Sequence, residues 1–334
     1  MTDPVLVTGG SGFIGGAILR RLVQDGVEVR ALARSDAAET AVRALGAKAV
    51  RGDVLDPGAL HRGMDGCAAV FHVAGVNAMC RRDPTPMFRA NVLGAELVVR
   101  AAAAAGVRRV ILTSSAATIG EAPGEIGRED SSHRGSFLSR YERSKHMAER
   151  RASEAATEVG LELVVTNPAS THGPGRTDGS ARLLVAAAQG RLPVAVATVL
   201  SLVDIGDCAA GHVLAAERGR PGERYLLCGA SLPSFELVDM VASLTGVRRP
   251  RRLPRAAVAL AGTLGDAAGR VLNRDPIFCS ELAKTILNGH RFDGSKAERE
   301  LGLRYTPIEV TLRRTFEWCR EQGLLGPRSH PRPA

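Results

Sequence analysis

Short runs of apolar residues alternate with longer amphipathic segments through the first half of the chain. Such continuous apolar runs are typical of strands that are buried on both faces of a sheet. They are PVLVT (4–8), VEVRAL (27–32), AKAVRGD (47–53), AAVFHVAG (68–75), RRVILTSS (108–115) and LELVVTNP (161–168). The alternation predicts an α/β fold, a doubly wound parallel sheet with right-handed crossovers and covering helices.

The segments between these runs place apolar residues at helical spacing and are followed by glycine, which is common just past the end of a helix. Three of them, at 12–26, 87–106 and 137–160, predict helices. After Pro168 the pattern loosens into THGPGRTDGSAR, a connection that is rich in glycine. A strand followed by a helix returns at 198–219, and the remainder of the chain is mainly helical.

A glycine-rich loop follows the first predicted strand directly. In TGGSGFIG, Gly9, Gly12 and Gly15 recur every three residues where strand gives way to helix. Glycine there permits a tight turn, a close approach of the backbone to a pyrophosphate and tight packing of helix on strand. Because a strand precedes the loop and a helix follows it, the loop predicts a dinucleotide-binding site.

The end of the second predicted strand bears on the choice of dinucleotide. Enzymes that use NAD usually place a carboxylate there against the ribose hydroxyls, whereas this chain has Ala33, Arg34 and Ser35. An arginine binds a ribose phosphate by charge-assisted hydrogen bonds, and the alternative is a solvated side chain. We therefore predict that Arg34 and Ser35 bind NADP(H) in preference to NAD(H).

A carboxylate just past the third predicted strand completes the predicted cofactor site. Asp53 can accept a hydrogen bond from the adenine amino group, with the Val54 backbone beside it, and capping of the next helix is the alternative. We also assign to the cofactor site Phe13, Ile14, Ala74 and Pro168.

These patterns predict two interleaved units. Residues 1–175 are expected to form a dinucleotide-binding Rossmann domain, to which 198–229 return. Residues 176–326 are expected to form a smaller, mostly helical cap that binds substrate. The last residues, 327–334, lack apolar periodicity and are expected to be disordered.

The composition argues against a nucleic-acid-binding, membrane-spanning or secreted protein. The chain has 334 residues and a net charge of +9 that comes almost wholly from arginine. Its densest basic run, RRPRRLPR (248–255), is interpreted as a solvated loop and not as a nucleic-acid site, because aromatic residues are few and prolines interrupt it. Apolar stretches such as AAVALAGTLG fall short of the ~20 residues of a membrane span. The N-terminus leaves no room for a secretion signal.

Six cysteines show neither a C-x-x-C pair nor histidines at metal-finger spacing. This pattern favours buried, reduced thiols, no structural metal and a cytoplasmic location.

Further motifs lie at the ends of the predicted strands, where ligands bind in doubly wound sheets. GDVLDP, HVAG, NVLG, TSSAAT, YERSK and NPAS follow the glycine loop in this order. Together they resemble the extended short-chain dehydrogenase/reductase superfamily (the NAD-dependent epimerase/dehydratase family), in particular its dihydroflavonol-reductase-like and 3β-hydroxysteroid-dehydrogenase-like branch. The resemblance covers residues 3–230 and implies an NAD(P)-dependent oxidoreductase.

The resemblance implies catalytic roles for four residues. Tyr141 would protonate a carbonyl oxygen as hydride arrives. Lys145, one helical turn later, would favour the phenolate and bind the nicotinamide ribose. Ser115 would hold the substrate oxygen, with its neighbour Ser114 as the competing assignment, since adjacent residues of a strand point to opposite sides. Asn91 would join a proton relay or serve a structural role.

The segment ATVLSLVDIGD bears on the class of substrate. Members that bind sugar nucleotides commonly place an arginine before its V-x-D motif, where this chain has Leu200 and Leu202. We therefore predict an NADPH-dependent reductase, or reverse dehydrogenase, of a ketone or aldehyde on a small, fairly hydrophobic substrate. The alternatives are a nucleotide-sugar epimerase or dehydratase and a non-catalytic NADP-binding regulator.

Residues that follow the strand ends are expected to shape the substrate pocket. They are Val76, Asn77, Met79, Cys80, Ala116, Thr118 and Ser170. His172 lies beside the sixth strand, and a structural role is favoured over substrate contact. The resemblance also implies a homodimer formed through the helices that contain Asn91 and Tyr141.

Overall fold

A parallel sheet of seven strands forms the centre of the computed structural model, which describes residues 3–326. The predicted tail at 327–334 lies outside the described residues. The strands within the described part are β1 (Val5–Thr8), β2 (Val29–Ala33), β3 (Lys48–Arg51), β4 (Ala69–His72), β5 (Arg109–Thr113), β6 (Glu162–Pro168), β7 (Ser170–His172), β8 (Val194–Ala195), β9 (Val199–Asp204), β10 (Arg224–Leu227), β11 (Ala230–Pro233) and β12 (Arg251–Arg252).

Helices connect most of these strands. The α-helices within the described residues are α1 (Phe13–Gln24), α2 (Asp36–Ala44), α3 (Pro57–Met64), α4 (Thr85–Phe88), α5 (Gly94–Ala104), α6 (Arg140–Val159), α7 (Ser180–Ala188), α8 (Ile205–Arg218), α9 (Ser234–Thr245), α10 (Arg255–Val271), α11 (Ser280–Asn288) and α12 (Ile308–Glu321).

The strand order of the large sheet is β3-β2-β1-β4-β5-β6-β10, and all of its neighbours pair in parallel. The order reverses between β1 and β4, so the crevice for a ligand opens at the carboxyl ends of these two strands. This arrangement confirms the predicted doubly wound fold. Each of the six predicted strands lies within or overlaps its apolar run.

Apolar side chains from helices on both faces bury the sheet. On one face α3, α5 and α6 contribute residues such as Leu60, Val98 and Ala152, and on the other face α1 and α8 contribute residues such as Ile18 and Val213. The residues that α6 contributes to this core are all alanine, which lets the helix lie close to the sheet and to α5.

The second half of the chain crosses between the sheet and a smaller unit. β9 pairs with β7 and β11 in a separate sheet, whereas α8 and β10 return to the large sheet. A second core between α7, α9 and α12 includes Leu202, Leu237 and Phe316. We propose on this basis the division into a sheet domain at 1–175 and a cap at 176–326. Of the segment 198–229 that is predicted to return to the sheet domain, α8 and β10 do so, whereas β9 lies in the separate sheet.

The helix predicted at 87–106 is interrupted in the structure. α4 ends at Phe88, a π-helical turn occupies Arg89–Leu93, and α5 begins at Gly94. Asn91 lies within this turn, with its side chain bound to the loop after β4 and to α6. Such turns widen a helix locally and often mark functional positions.

Two of the six cysteines form a disulfide, so the prediction of six reduced thiols is wrong for this pair. Cys80, after β4, is bonded to Cys279, directly before α11, across 199 positions of sequence. Spacing within the sequence gives no sign of such a distant pair. The other four, Cys67, Cys208, Cys228 and Cys319, are buried free thiols.

Candidate active site

The glycine loop joins β1 to α1 with almost no space for side chains. Gly9 has φ +71°, and a Cβ on it would lie 2.7 Å from the Ala74 backbone nitrogen. A Cβ on Gly15 would lie 2.1 Å from the Gly9 carbonyl oxygen. Gly12 begins α1 without a side-chain cap, so the first N–H groups of this helix are available to an anion. The loop therefore fits the pyrophosphate of a dinucleotide.

The ends of β1 and β4 are joined beside this loop. The Thr8 hydroxyl accepts a hydrogen bond from the Ala74 N–H at 3.1 Å and is 2.8 Å from the His72 ring. Ala74 is partly buried, and Pro168 is buried at the end of β6. These contacts hold the strand ends at the crevice, where the cofactor residues are predicted.

Residues predicted to contact the adenosine end lie at the ends of β2 and β3. Arg34 and Ser35 are exposed, and the Ser35 hydroxyl caps α2 by accepting a hydrogen bond from the Ala38 N–H at 3.2 Å. Asp53 accepts a hydrogen bond from the Leu55 N–H at 3.0 Å, whereas Asp56 is the residue that caps α3. The alternative role of Asp53 as a helix cap is therefore taken by Asp56.

Tyr141 and Ser115 meet at the carboxyl end of β5. Tyr141 is partly buried in the first turn of α6, and its hydroxyl faces the Ser115 side chain. Burial raises the pKa of the Tyr141 hydroxyl above its ordinary value, while the interaction with Ser115 and the charge of Arg176 partly offset this rise. The hydroxyl is therefore protonated at neutral pH.

Lys145 is buried one turn after Tyr141. Its ammonium donates a hydrogen bond to the Thr113 carbonyl at 2.7 Å. Burial lowers the pKa of Lys145 to about 8, and the Glu149 carboxylate opposes that shift. The sequence predicted that the Lys145 charge acts on Tyr141. In the structure Arg176 supplies the charge that lowers the Tyr141 pKa, because the Lys145 ammonium is directed at β5.

The two adjacent serines point in different directions. The Ser114 hydroxyl is buried and donates to the Glu149 carboxylate at 2.6 Å. Ser115 is partly exposed, caps the turn that follows β5 and contacts Tyr141. The geometry therefore favours Ser115 over Ser114 as the partner of a substrate oxygen.

Asn91 uses its side-chain amide to join three elements. Its oxygen accepts from the Val76 N–H at 2.7 Å, and its nitrogen donates to the Val76 carbonyl at 3.0 Å and to the Ser144 hydroxyl at 2.9 Å. These bonds hold the loop after β4 against α6, next to Lys145. They support the structural role that was the alternative to a proton relay.

Comparison with known proteins places these features in a family. The model of the NAD dependent epimerase/dehydratase family matches residues 5–228. This chain belongs to that family. A putative dihydroflavonol 4-reductase from Synechocystis sp. is 32% identical, covering 97% of each chain. A 2-alkyl-3-oxoalkanoate reductase from Stenotrophomonas maltophilia is 32% identical, covering 93% of this chain and 97% of the relative.

Among solved structures, the crystal structure of gox2253 has a TM-score of 0.86 at 30% identity, covering 97% of this chain and 100% of that one. Membership of this epimerase/dehydratase family confirms the predicted resemblance to the extended short-chain dehydrogenase/reductase superfamily. It also confirms the prediction of an NAD(P)-dependent enzyme.

The predicted substrate residues of this family member do not all reach an open surface. Val76 and Met79 are partly buried and Asn77 is exposed, but Cys80 is committed to the disulfide. Ala116 is buried, and the buried Thr118 hydroxyl donates to Glu149 at 3.0 Å. The Ser170 hydroxyl contacts the His172 ring and the Ser180 hydroxyl, each at 2.9 Å.

Arg176 is a charged residue beside the site that the sequence patterns did not indicate. Its guanidinium lies 5.6 Å from the centre of the Phe13 ring, and its Nε donates to the exposed Asp178 at 2.8 Å. Burial lowers the pKa of His172 to about 4, and the Arg176 charge adds to this shift. The GPGR stretch after β7 was interpreted only as a connection because it is rich in glycine. For that reason Arg176 was not predicted to lie at the site.

Glu149 is the second residue that sequence reasoning missed. Its carboxylate accepts hydrogen bonds from Ser114, Thr118 and Asn167, and it lies 2.7 Å from the Arg224 guanidinium. Glu149 follows Lys145 by one helical turn, the same interval that separates Tyr141 from Lys145. This repeated spacing places it on the buried side of α6 and could have indicated it.

Loss of the Glu149 charge is expected to change the pH dependence of the enzyme. In Glu149→Gln the ammonium of Lys145 loses its stabilising anion, so its pKa falls below about 8. If activity requires that ammonium, the alkaline limb of the kcat/KM profile moves down by about one pH unit.

The matched control is Glu154→Gln, which removes a half-exposed carboxylate of the same helix. A merely structural Glu149 would give a lower melting temperature with an unchanged profile, and that result would contradict the proposed electrostatic role.

Proposed function

We propose that this enzyme is an NADP(H)-dependent reductase, or reverse dehydrogenase, of a ketone or aldehyde on a small hydrophobic substrate. The observation that carries the proposal is the placement of Tyr141, in the first turn of α6, beside Ser115, which caps the turn after β5 in the crevice that the glycine loop borders. A protonated tyrosine and a serine hydroxyl at one point can both contact a single carbonyl oxygen.

Each residue of the site has a separate role in carbonyl reduction. When bound, the nicotinamide cofactor supplies the hydride. Ser115 orients the carbonyl oxygen, and the Tyr141 hydroxyl donates the proton that this oxygen takes up. The Arg176 charge, which lowers the Tyr141 pKa, favours the phenolate that remains, and Lys145 would bind the nicotinamide ribose. Glu149 holds Ser114 and supports the charge of Lys145.

Two observations support a hydrophobic substrate. The relatives described above are named as reductases, and one of them acts on 2-alkyl-3-oxoalkanoates according to its name. No arginine occurs in β9, where sugar-nucleotide enzymes commonly carry one. Leu200 and Leu202 themselves pack in the cap core, so their apolar character is explained by that core and does not indicate the polarity of the substrate.

A nucleotide-sugar epimerase or dehydratase is the second candidate, and Arg176 favours it. Its guanidinium lies beside both the glycine loop and the tyrosine, where it could bind the diphosphate of a sugar nucleotide. Such an enzyme would return the hydride to the same substrate and would leave no net change in the cofactor.

The two functions are separated by incubating the purified chain with NADPH and a panel of ketones, aldehydes and nucleotide sugars. A reductase oxidises NADPH in proportion to the carbonyl consumed. Conversion of a nucleotide sugar with no net cofactor oxidation would instead establish the epimerase, and would exclude the reductase proposal if all carbonyls were inert.

The preference for NADP(H) rests on Arg34, which is exposed at the end of β2 beside the cap of α2. Arg34→Ala is expected to raise KM for NADPH by about 10- to 100-fold, because charge-assisted hydrogen bonds contribute about 1.5–3 kcal/mol. KM for NADH should change little.

The control for this prediction is Arg43→Ala, which removes an exposed arginine of α2 that pairs with Glu39. Steady-state kinetics with both cofactors provide the measurement, and equal effects of Arg34→Ala on NADPH and NADH would rule the assignment out.

We further propose a homodimer through the helices that contain Asn91 and Tyr141. Leu93 and Met147 are exposed on these elements, at 40% and 36%, which supports an apolar contact there. A cytoplasmic location also stays a proposal, supported by the four buried free thiols and opposed by the Cys80–Cys279 disulfide.

A further inference from the structure

The outer side of α10 carries large aliphatic residues that face solvent. Leu260 is 60% exposed, Leu264 59% and Val271 84%, and they are followed by Leu272 at 66% and Ile277 at 94%. The spacing of the first three residues places them on one stripe of the helix. Monomeric proteins rarely leave such a stripe uncovered, and contiguous apolar patches often mark interaction sites.

Apart from the buried Val258 in the first turn, the inner side of the same helix is made of small residues. A Cβ on Gly262 would lie 2.8 Å from the Ala283 side chain, and a Cβ on Gly265 would lie 1.9 Å from the Phe278 carbonyl oxygen. Gly269 packs in the same way against Arg274 and Pro276. An ordinary surface helix turns its large apolar residues inward, so α10 is inverted relative to that pattern.

Exposed arginines lie at both ends of this stripe. Arg251, Arg252 and Arg255 are exposed near the start of α10, and Arg270 and Arg274 are exposed at its end. The two carboxylates of this region are already engaged. Asp266 accepts from the Ser280 N–H, and Asp275 binds Arg81 and the Arg82 N–H. The surroundings of the stripe are therefore strongly basic.

We propose that the α10 stripe, defined as Leu260, Leu264, Val271, Leu272 and Ile277, docks onto an anionic phospholipid surface. The aliphatic side chains would enter the headgroup and acyl boundary, and the arginines would bind the acidic headgroups, as in helices that lie in a membrane interface. No helix within the described residues can span a bilayer, so the contact is peripheral.

A second copy of the chain fits this surface less well. In a two-fold dimer the same patch meets itself, and an antiparallel arrangement would bring the Arg255 end of one helix against the Arg270 and Arg274 end of the other. The resulting repulsion disfavours self-association, whereas an acidic lipid surface neutralises both ends. Charge therefore decides between the two occupants.

The stripe is joined to the predicted substrate loop. Cys279, which follows the stripe, is disulfide-bonded to Cys80, and Asp275 binds the neighbouring Arg81 at 2.7 Å. A lipid-bound enzyme would therefore hold the loop after β4 next to the apolar phase. Delivery of a hydrophobic substrate by this route rests on the proposed function, but lipid binding itself does not.

Co-sedimentation of the full chain with vesicles tests the proposal without any substrate. We expect binding to vesicles of phosphatidylcholine with phosphatidylglycerol, weak binding to phosphatidylcholine alone, and loss of binding at high salt. The double variant Leu260→Ser/Leu264→Ser should bind at least ~10-fold more weakly. Arg270→Gln/Arg274→Gln should also weaken binding, and only to the anionic vesicles.

The matched control is Val159→Ser/Val310→Ser, which removes aliphatic residues that are 38% and 42% exposed elsewhere. It should bind as the wild type does, and thermal melts should show that each variant is folded. Unchanged binding of the leucine variant would overturn the proposal. So would a change of oligomeric state caused by that variant in sedimentation equilibrium, since the stripe would then be a self-interface.

Discussion

Tyr141→Phe is expected to lower kcat for carbonyl reduction by about 10²- to 10⁴-fold, the usual contribution of a positioned general acid. Phenylalanine fills the same volume in the first turn of α6 but cannot donate the proton or interact with Ser115 through a hydroxyl. Affinity for the cofactor should stay close to that of the wild type, because the glycine loop is untouched. Steady-state kinetics combined with a fluorescence titration of NADPH measure the two quantities separately.

Tyr305→Phe is the matched control for this variant. The Tyr305 hydroxyl contacts backbone groups of Leu226, Cys228 and Gly294 far along the chain from α6. Its loss should reduce stability by about 1 kcal/mol and leave kcat unchanged. A fall in kcat of less than tenfold for Tyr141→Phe would refute the role of Tyr141 as the acid.

The protonation of Tyr141 also sets the pH dependence of the two reaction directions. Its raised pKa means that the hydroxyl keeps its proton through neutral pH and loses it only above its ordinary value of 10.0. Reduction needs the protonated form, which is fully present at neutral pH. Oxidation needs the deprotonated form, so its rate should rise with pH over the range where reduction does not.

Removal of the Cys80–Cys279 disulfide is expected to lower the free energy of unfolding by about 2–5 kcal/mol. The bond closes a loop of 199 positions and connects the segment after β4 to the start of α11. The unfolded chain gains the most freedom when a link across so long a loop is broken. Reductant should therefore lower the melting temperature by several degrees.

The variant Cys80→Ser/Cys279→Ser provides the comparison, since its melting temperature should not respond to reductant. Thiol titration of the denatured wild type should find the four free cysteines before reduction and all six afterwards. Six reactive thiols without reductant, and equal melting temperatures in both buffers, would show that the bond is not formed.

Much of the fold could be predicted because its signals are local. Each buried strand of the first half is a continuous apolar run. The glycines of the first loop are required because backbone atoms leave no space for a side chain there, as in any fold with this loop. Gly9 and Gly15 face backbone atoms at distances that exclude a side chain. Tyr141 and Lys145 could be predicted for the same reason, because their separation of four residues is fixed by a single helix.

Contacts between distant segments could not be predicted in this way. The Glu149 cluster joins β5, α6, β6 and β10, and its members are ordinary polar residues in the sequence. Thr118 was assigned to the substrate because it follows a strand end, but its hydroxyl has four polar neighbours inside this cluster. The disulfide and the position of Arg176 depend likewise on how the cap lies on the sheet.

The placement of β10 has a consequence for how this chain can be made and divided. β10 covers the outer edge of β6, yet it emerges from the ribosome only after residues 176–223 have been synthesised. Until then the open edge of β6 can pair with other chains, which promotes aggregation. A fragment that ends near residue 175 would retain this open edge permanently. Exchange of caps between relatives would therefore succeed only when each graft leaves β10 with its own sheet.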